Sequence, residues 1–387
     1  MSSEPNIDTQ VSVAERENRI ATPVAASIRE ATFEDYPQIA AVQTRNGLKP
    51  KIREEWEHFW TDNPVFKKLS NWPIGWVAEN ENGEIVGYIG NIPLSCHFQG
   101  REIIASGTHA VVMDTGYRAY ASFLLRRQLN QKAAQLNLSS TANPNSSRMA
   151  EAMRCLRVPA GNWSQSVFWI TNHRGFLASA LERKGWPKVL AYPASAALSL
   201  KDRFSNAHAW AHQNGCQVST CSMFDERFDR FWMELKTAYP DRLLANRSRE
   251  VLQWHFKYAL AQNRAWIVTV GDDSRLLAYA VFYKRDNPAF DLKRVRLIDF
   301  QILNGNSHLL VPMLSWGLLR CQKEGVHMLE AFGFRPEKQS VIDSLNPYRR
   351  QLPSWLYYYK TRDKALLEQL RNPGVWDPTS FDGAANL

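Results

Sequence analysis

The chain has no His–Glu pair at zinc-site spacing, no Walker-type phosphate loop and no Gly-x-Ser-x-Gly elbow. Those absences argue against metalloenzyme, kinase and hydrolase chemistry. No stretch approaches the ~20 apolar residues of a membrane-spanning helix, so no span is expected. Its five cysteines are odd in number and lack framework spacing. Cys216 and Cys221 are close in sequence, but no second pair or histidine-rich segment accompanies them. Reduced thiols, a cytoplasmic location and no metal are therefore expected. Sustained coiled-coil heptads are also missing. Lysine and arginine never form a run of five, so the net charge of +9 fits an anionic ligand better than a nucleic-acid surface.

What the chain does have is length and tryptophan. Its 387 residues suffice for two domains, and 14 tryptophans need core space or a ligand face. Hydrophobic residues at 44% and charged residues at 22% are ordinary for a globular protein. The first 26 residues are polar and read as a disordered tail. An N-terminal domain is expected over 27–195, a C-terminal domain over 196–365 and an extended polar tail over 366–387. The order in the first half is strand, helices, a hairpin from Gly75 to Leu94, a strand around His97 to Ile104, then strand–turn–helix–strand. A strand at Val167 to Ile170 and a basic helix from Thr171 to Trp186 follow, and Pro187 to Pro193 begins a linker. The second half repeats hairpin (Ala265 to Tyr283), strand (Val295 to Leu303), helix (Leu309 to Glu324) and strand (His327 to Phe332). It ends on an aromatic strand at Trp355 to Lys360, whose Trp355, Tyr357, Tyr358 and Tyr359 are expected to pack in a core on one face and could stack on a sugar with the other. The repeat points to duplication and to an α/β (α+β) fold of two mixed, twisted sheets flanked by helices.

Residues 105–136 carry the most functional information. An apolar strand, His109 to Met113, runs through a short turn into a helix. A turn that opens a helix leaves its first backbone N–H groups without partners and sits at the positive end of the dipole. That geometry seats a pyrophosphate, and Arg118 adds a guanidinium able to clasp phosphate oxygens two at a time. Asp114 reads as the cap of this helix. After the next strand, Ala142-Asn143-Pro144-Asn145 is a turn, and Ser146 or Ser147 reads as the cap of the following helix.

These segments resemble the GNAT (Gcn5-related N-acetyltransferase) superfamily in a tandem form. The segment 28–42 is similar to the family's first strand and helix, 75–90 to its hairpin, 109–129 to its acyl-CoA loop and helix, and 140–153 to its fifth strand and next helix. The likeness covers about 27–160 in detail and 225–360 in architecture. It implies two GNAT-like domains and an acyl-CoA cofactor, with acetyl-CoA or another acyl-CoA as co-substrate. The cofactor lies in a gap between the fourth and fifth strands. The contacts it implies are Val112, Met113, Gly116, Tyr117, Arg118, Ala119, Tyr120, Ala121 and Ser122, with Asn143 and Asn145 after the fifth strand. Aligned without gaps, Gly116 stands where the family has Arg or Gln, and Ala119 where it has Gly. In a shorter register, Tyr117-Arg118 matches the family's Tyr-Arg pair instead. The helix after the fifth strand lacks the tyrosine that often protonates the leaving thiolate; Arg154 and Cys155 stand near its end.

The resemblance implies an N-acyltransferase that moves an acyl group to an amine by direct attack. A small polar acceptor such as an amino sugar is the preferred partner. The alternatives are an aminoacyltransferase that uses charged tRNA to build peptidoglycan cross-bridges, and a non-catalytic binding protein with a decayed cofactor site. A general base needs a pKa near the working pH, so His109 on the cofactor strand is a candidate. Asp299 and Glu330 also qualify, because a carboxylate inside an apolar strand needs a partner or a role. Arg296 and Arg335 are the expected partners. The second half has no basic phosphate loop, so it is expected to wall the substrate cleft.

Overall fold

The structure, a computed structural model, describes residues 25–160, 163–204, 218–333, 335–352, 355–384 and 386–387. The expected tail lies outside the described residues apart from its last two positions. The first half begins with β1 (Ala26–Glu30), α1 (Tyr36–Arg45), α2 (Arg53–Thr61), β2 (Gly75–Asn80), β3 (Ile85–Phe98) and β4 (Arg101–Met113). A 3-10 turn (Thr115–Tyr120) opens α3 (Ala121–Asn130), and β5 (Leu136–Ala142), α4 (Pro144–Ala152) and β6 (Leu156–Arg157) follow. Next come β7 (Gln165–Ile170), α5 (His173–Arg183) and α6 (Ala191–Phe204).

The second half runs β8 (Val218–Cys221), α7 (Glu226–Ala238), β9 (Leu244–Ala245), α8 (Arg249–Ala261), β10 (Ala265–Gly271), β11 (Leu276–Lys284) and β12 (Arg294–Ile302). It closes with α9 (Leu310–Lys323), β13 (Met328–Phe332), α10 (Pro336–Asp343), β14 (Tyr348–Gln351), β15 (Leu356–Thr361) and α11 (Lys364–Leu370).

These strands form two sheets of matching plan. The first is ordered β1-β2-β3-β4-β5-β15-β6, with β9 also on β3; the second is ordered β14-β7-β13-β12-β11-β10-β8. Each contains a hairpin, a parallel pair joined by a helix (β4 with β5, β12 with β13), and then an antiparallel strand taken from the other half. The exchange is reciprocal, and it crosses the expected domain boundary. The strand at Val167 to Ile170, expected in the first domain, completes the second sheet, while the last aromatic strand completes the first.

Four other expectations change. Gln99 and Gly100 both have positive φ (49° and 75°) and make a tight turn, so His97 belongs to β3 and a single long β4 begins at Arg101. The stretch expected to begin a linker is a 3-10 turn and the start of α6, which packs on α5; position 195/196 falls inside α6. Tyr357, Tyr358 and Tyr359 are all buried, so β15 offers no aromatic face for a sugar. Residues 376–384, 386 and 387, expected in an extended tail, are buried too.

Buried polar pairs explain that last result. Arg247, just before α8, is almost wholly buried and binds Asp299 of β12 through Nε and Nη2 at 2.9 and 3.0 Å. Tyr279 Oη donates to Asp299 at 2.6 Å, Thr379 Oγ1 donates to it at 2.7 Å, and Arg247 also reaches Asp382 at 3.3 Å. Burial pushes the Asp299 carboxyl up, but the Arg247 charge and these donors outweigh it and hold it below the usual range. Asp382 is instead pushed up, mainly by burial.

Glu330 of β13 is similarly enclosed. It accepts from Ser166 of the exchanged β7 at 2.7 Å and from Arg296 at 2.9 Å, with Arg294 at 3.4 Å and Arg350 in contact. The arginines overcome its burial and hold it at about 2. Arg296 is thus the expected partner for one carboxylate, whereas Arg335 pairs with Glu337 instead. Between the halves, His58 Nε2 meets the Trp254 carbonyl at 2.9 Å, and Trp254 Nε1 donates to the His58 carbonyl at 3.0 Å.

Removing one partner of a buried ion pair strands the other, so Arg247→Ala lowers the unfolding free energy by about 3–5 kcal/mol. Asp382→Asn costs less, because burial already disfavours its charge. Urea denaturation compares the two variants, and equal midpoints for wild type and Arg247→Ala would refute the cluster's role. Asp299 and Glu330 titrate below their unfolded values. Their contribution is therefore present above about pH 4 and is lost as pH falls through the folded pKa values. Acid unfolding monitored by circular dichroism should show that loss.

Candidate functional site

The site follows from where two parallel strands stop pairing. β4 and β5 are hydrogen-bonded only over Ala105–Gly107 and Leu136–Leu138. Beyond that, β4 continues to Met113 and β5 to Ala142 without pairing, leaving a wedge in the sheet. β4 also bulges there: Val112 and His109 face Tyr88 and Gly90, so two β4 residues, Ala110 and Val111, oppose Ile89. Ala110 sits at φ 49°, a conformation that costs a β-carbon residue about 1 kcal/mol. A bulge of this kind takes backbone amides out of the ladder.

Cavities lie on both sides of the wedge. On the α1/α2 face is an opening of about 420 Å³, lined among others by Lys49, Lys51, Trp56, His109, Asn143 and Arg285. On the α3/α4 face is a small apolar notch of about 30 Å³, lined among others by Leu125, Leu129, Met149, Cys155 and Tyr358. Thr108, Val111, Ser139 and Ser146 line both. The residues at the strand gap thus wall both cavities.

The expected loop residues occupy the α3/α4 side. Thr115, Gly116, Arg118 and Ala119 are exposed on the 3-10 turn, and a Cβ at Gly116 would meet open space. Tyr117 packs with Met113 against the α3 core, and Tyr120 does so while accepting from the Ala26 amide at 3.0 Å. Ser122 donates to the Ala119 carbonyl at 3.0 Å, Val112 is buried, and Ala121 is half-buried at the start of α3. Asp114 does not cap the helix. Its carboxylate is drawn instead to Arg45 (2.7 Å) and Asn46 (2.7 Å), tying the loop to α1.

At the end of β5, Asn143 caps α4, accepting from the Asn145 and Ser146 amides at 3.0 and 2.9 Å. The cap expected at Ser146 or Ser147 is thus one turn earlier, because the Asn-Pro start sets the helix at Pro144. Asn145 is exposed and away from both cavities, whereas Asn143 lines the larger one. Asp299 and Glu330 lie in the second sheet, fully engaged in the ion pairs above and in neither cavity.

The charge around the larger cavity is one-sided. Lys49, Lys51 and Arg285 line it, and no aspartate or glutamate side chain does among the described residues. Burial lowers the His109 pKa to about 4, and Lys51 adds to the effect, so its imidazole is neutral across the physiological range. Cys155 at the notch is pushed up to about 11 by burial and stays a thiol.

Sequence reasoning did not find Lys51, Trp56, Arg285 or Tyr358. Their only shared signal is residue type, because the fold brings them from α2 and its approach, from the strand end after β11, and from the exchanged β15. The matching wedge of the second sheet, where β12 runs past Arg296 unpaired with β13, is occupied by the chain itself. Thr379 reaches Asp299 there, and Val341 and Ile342 of α10 share a core with Phe300. Among the described residues no helix is long and apolar enough to cross a membrane, and no group of side chains could hold a metal.

No known sequence family and no curated protein matches the chain. Solved structures do. An N-myristoyltransferase of Saccharomyces cerevisiae with bound myristoyl-CoA superposes with a TM-score of 0.56 at 11% identity, over 88% of this chain and 81% of that one. A GCN5-related N-acetyltransferase from Kribbella flavida gives 0.52 at 10% identity, over 88% and 71%. One from Anabaena variabilis gives 0.50 at 10%, over 87% and 73%. The chain therefore has the tandem GNAT-like fold that these proteins share.

His109 has a folded pKa well below its unfolded value near 6.5. As pH falls below 6.5 the unfolded chain takes up the proton first, and stability is lost until about pH 4. NMR titration should find the His109 ring signal flat from pH 7.5 to 5.5, with a midpoint near 4. A midpoint near 6.5 would show that the cavity wall is open to water.

Proposed function

We propose that this protein is an acyl-CoA-dependent N-acyltransferase whose reaction centre is the gap between β4 and β5. The observation that carries this reading is the pair of cavities that share the residues of that gap, one on each face of the sheet. A thioester delivered from the α3/α4 side and an amine from the α1/α2 side would meet between Val111 and Ser139. The shared fold of proteins named for acyl-CoA chemistry supports the reading.

Arg118 and the leading amides of the Thr115–Tyr120 turn are the groups we assign to the cofactor's pyrophosphate. Tyr117 and Tyr120 position the turn, and Asn143 holds the start of α4. The small notch, at about 30 Å³, suits an acetyl group better than a long chain.

Transfer would proceed by direct attack. The amine nitrogen bonds to the thioester carbonyl carbon, the carbonyl oxygen takes negative charge, and the C–S bond then breaks to release CoA thiolate. Amides freed by the bulge at Ala110 stand where an oxyanion needs donors. Once the C–N bond forms, the nitrogen is positively charged and must shed a proton; His109, neutral with a pKa of about 4, accepts its hydrogen bond and passes that proton to solvent in the open cavity. The cations around the cavity favour a neutral amine over an ammonium, so deprotonation is helped by the field itself. Tyr358, whose Oη donates to Glu151 at 2.6 Å, supplies a phenol at the notch where α4 has no tyrosine. Burial raises its pKa, so it stays protonated and can return a proton to the thiolate. Cys155, held as a thiol, is a poor acyl carrier, which favours direct transfer over an acyl-enzyme.

Acetyl-CoA at 100 times its Kd should add about 2.7 kcal/mol of apparent stability, visible as a raised Tm. Arg118→Ala should weaken that binding by about tenfold, or 1.4 kcal/mol. Ser139→Trp should fill the gap and remove transfer while leaving the far-ultraviolet spectrum unchanged. No Tm change with any acyl-CoA, short or long, would sink the proposal. Tyr358→Phe should lower kcat with little change in KM for the acyl-CoA.

A further inference from the structure

The larger cavity is lined by three cationic side chains, Lys49, Lys51 and Arg285, and by no aspartate or glutamate side chain among the described residues. Arg285 is half-buried in its wall and makes no ion pair among the described residues; its guanidinium leans over the Tyr283 ring at 5.1 Å. Burial lowers its pKa and the charges of Arg296 and Arg264 add to that, while its hydrogen bond with Tyr283 offsets them only in part. Lys49 is exposed and in no ion pair among the described residues, and the half-buried Lys51 is loosely paired with Glu55 at 3.6 Å. Trp56, at 2% exposure, also lines the cavity, and its Nε1 has no hydrogen-bond partner. Behind it lies the buried Tyr88 Oη, which has no partner of ideal geometry and is close enough to Trp56 for the two to interact weakly.

A buried donor without an acceptor costs about 1–3 kcal/mol, and an unpaired buried cation costs more. Three cations around one opening, with the buried Trp56 indole N–H beside them and no carboxylate side chain among the lining residues, describe a receptor for an acceptor-rich, negatively charged group. The uncharged hydroxyls of a simple sugar would leave these cations unmatched.

We propose that this cavity selects amines that carry an oxyanion, carboxylate or phosphate, and that Arg285, assisted by Lys51, Lys49 and Trp56 Nε1, holds that oxyanion. This names the acceptor class of the transfer described above and rests on that reading. It replaces a neutral amino sugar by an acidic amine. Arg285 comes from the second half and the Lys49–Lys51 segment from the first, so the site is complete only when both are in place.

Matched pairs of amines that differ only in the oxyanion test this by calorimetric titration of the full chain, with and without CoA. The pairs are glucosamine against glucosamine 6-phosphate, and glycinamide against glycine. The anionic member of at least one pair should bind tenfold or more tightly, and which pair does so tells phosphate from carboxylate. Arg285→Gln should bring that ratio towards one, Arg285→Lys should retain part of it, and 0.5 M salt should shrink it in the wild type. Equal binding within both pairs, or a ratio that survives in Arg285→Gln, overturns the inference. If Arg285→Gln fails to fold, Lys51→Gln and the salt series decide it in the same terms. Were the cations there only to hold residues 376–387, Arg285→Gln would lower Tm without altering the ratio, which also overturns it. Acetyl transfer to neutral and anionic amines alike would sink the acceptor class yet leave the transfer standing. Absence of acyl-CoA binding would sink the transfer reading, while the titrations would still decide what the cavity holds.

Discussion

The architecture depends on one buried guanidinium. Arg247 has no access to water, so its charge must be matched inside the protein, and Asp299 and Asp382 are what match it. Asp299 belongs to β12 and Asp382 to the last segment of the chain. The pair therefore fixes that segment against the second sheet. Ala384 and Leu387, a few residues on, form part of the wall of the larger cavity. A local electrostatic need in the second half thus shapes the opening on the first. Thr379 and Tyr279 complete the set, and each acceptor oxygen of Asp299 has a donor.

The two sheets contain wedges of the same construction with opposite fates. In the first sheet, β4 and β5 part and leave space on both faces. In the second, β12 and β13 part, and α10 and the chain's end fill the space with apolar side chains and paired charges. The residues expected to be catalytic there, Asp299 and Glu330, are the polar part of that filling. Their isolation in apolar strands was a sound signal of something unusual, but it marked ion pairs that hold strands together.

Local patterns in the sequence were enough for the hairpins, for the alternation of strand and helix, and for the turn that opens α3. Gly83 at its turn and the apolar run into Asp114 are visible in a short window. The Arg45–Asp114 pair was not, because its members are far apart in sequence, and a carboxylate at a helix start reads as a cap by default. The cavity's cations escaped for the same reason. Lys51 and Arg285 are ordinary surface residues in sequence and acquire meaning only when two halves place them around one opening. The buried tail escaped on composition, since polarity and glycine read as solvent exposure unless the partner charge at Arg247 is known.

The exchanged strands have a consequence for how the protein is made. When β5 leaves the ribosome, the strand that must lie beside it, β15, is more than half the chain away. Until then the β5 edge has unpaired amides and carbonyls, and β7 has been made without the sheet it will join. Exposed edges of this kind pair readily with the wrong chain. The first sheet can thus close only after the second has been synthesised. Each half lends a strand to the other, so neither sheet is complete until both halves have been made.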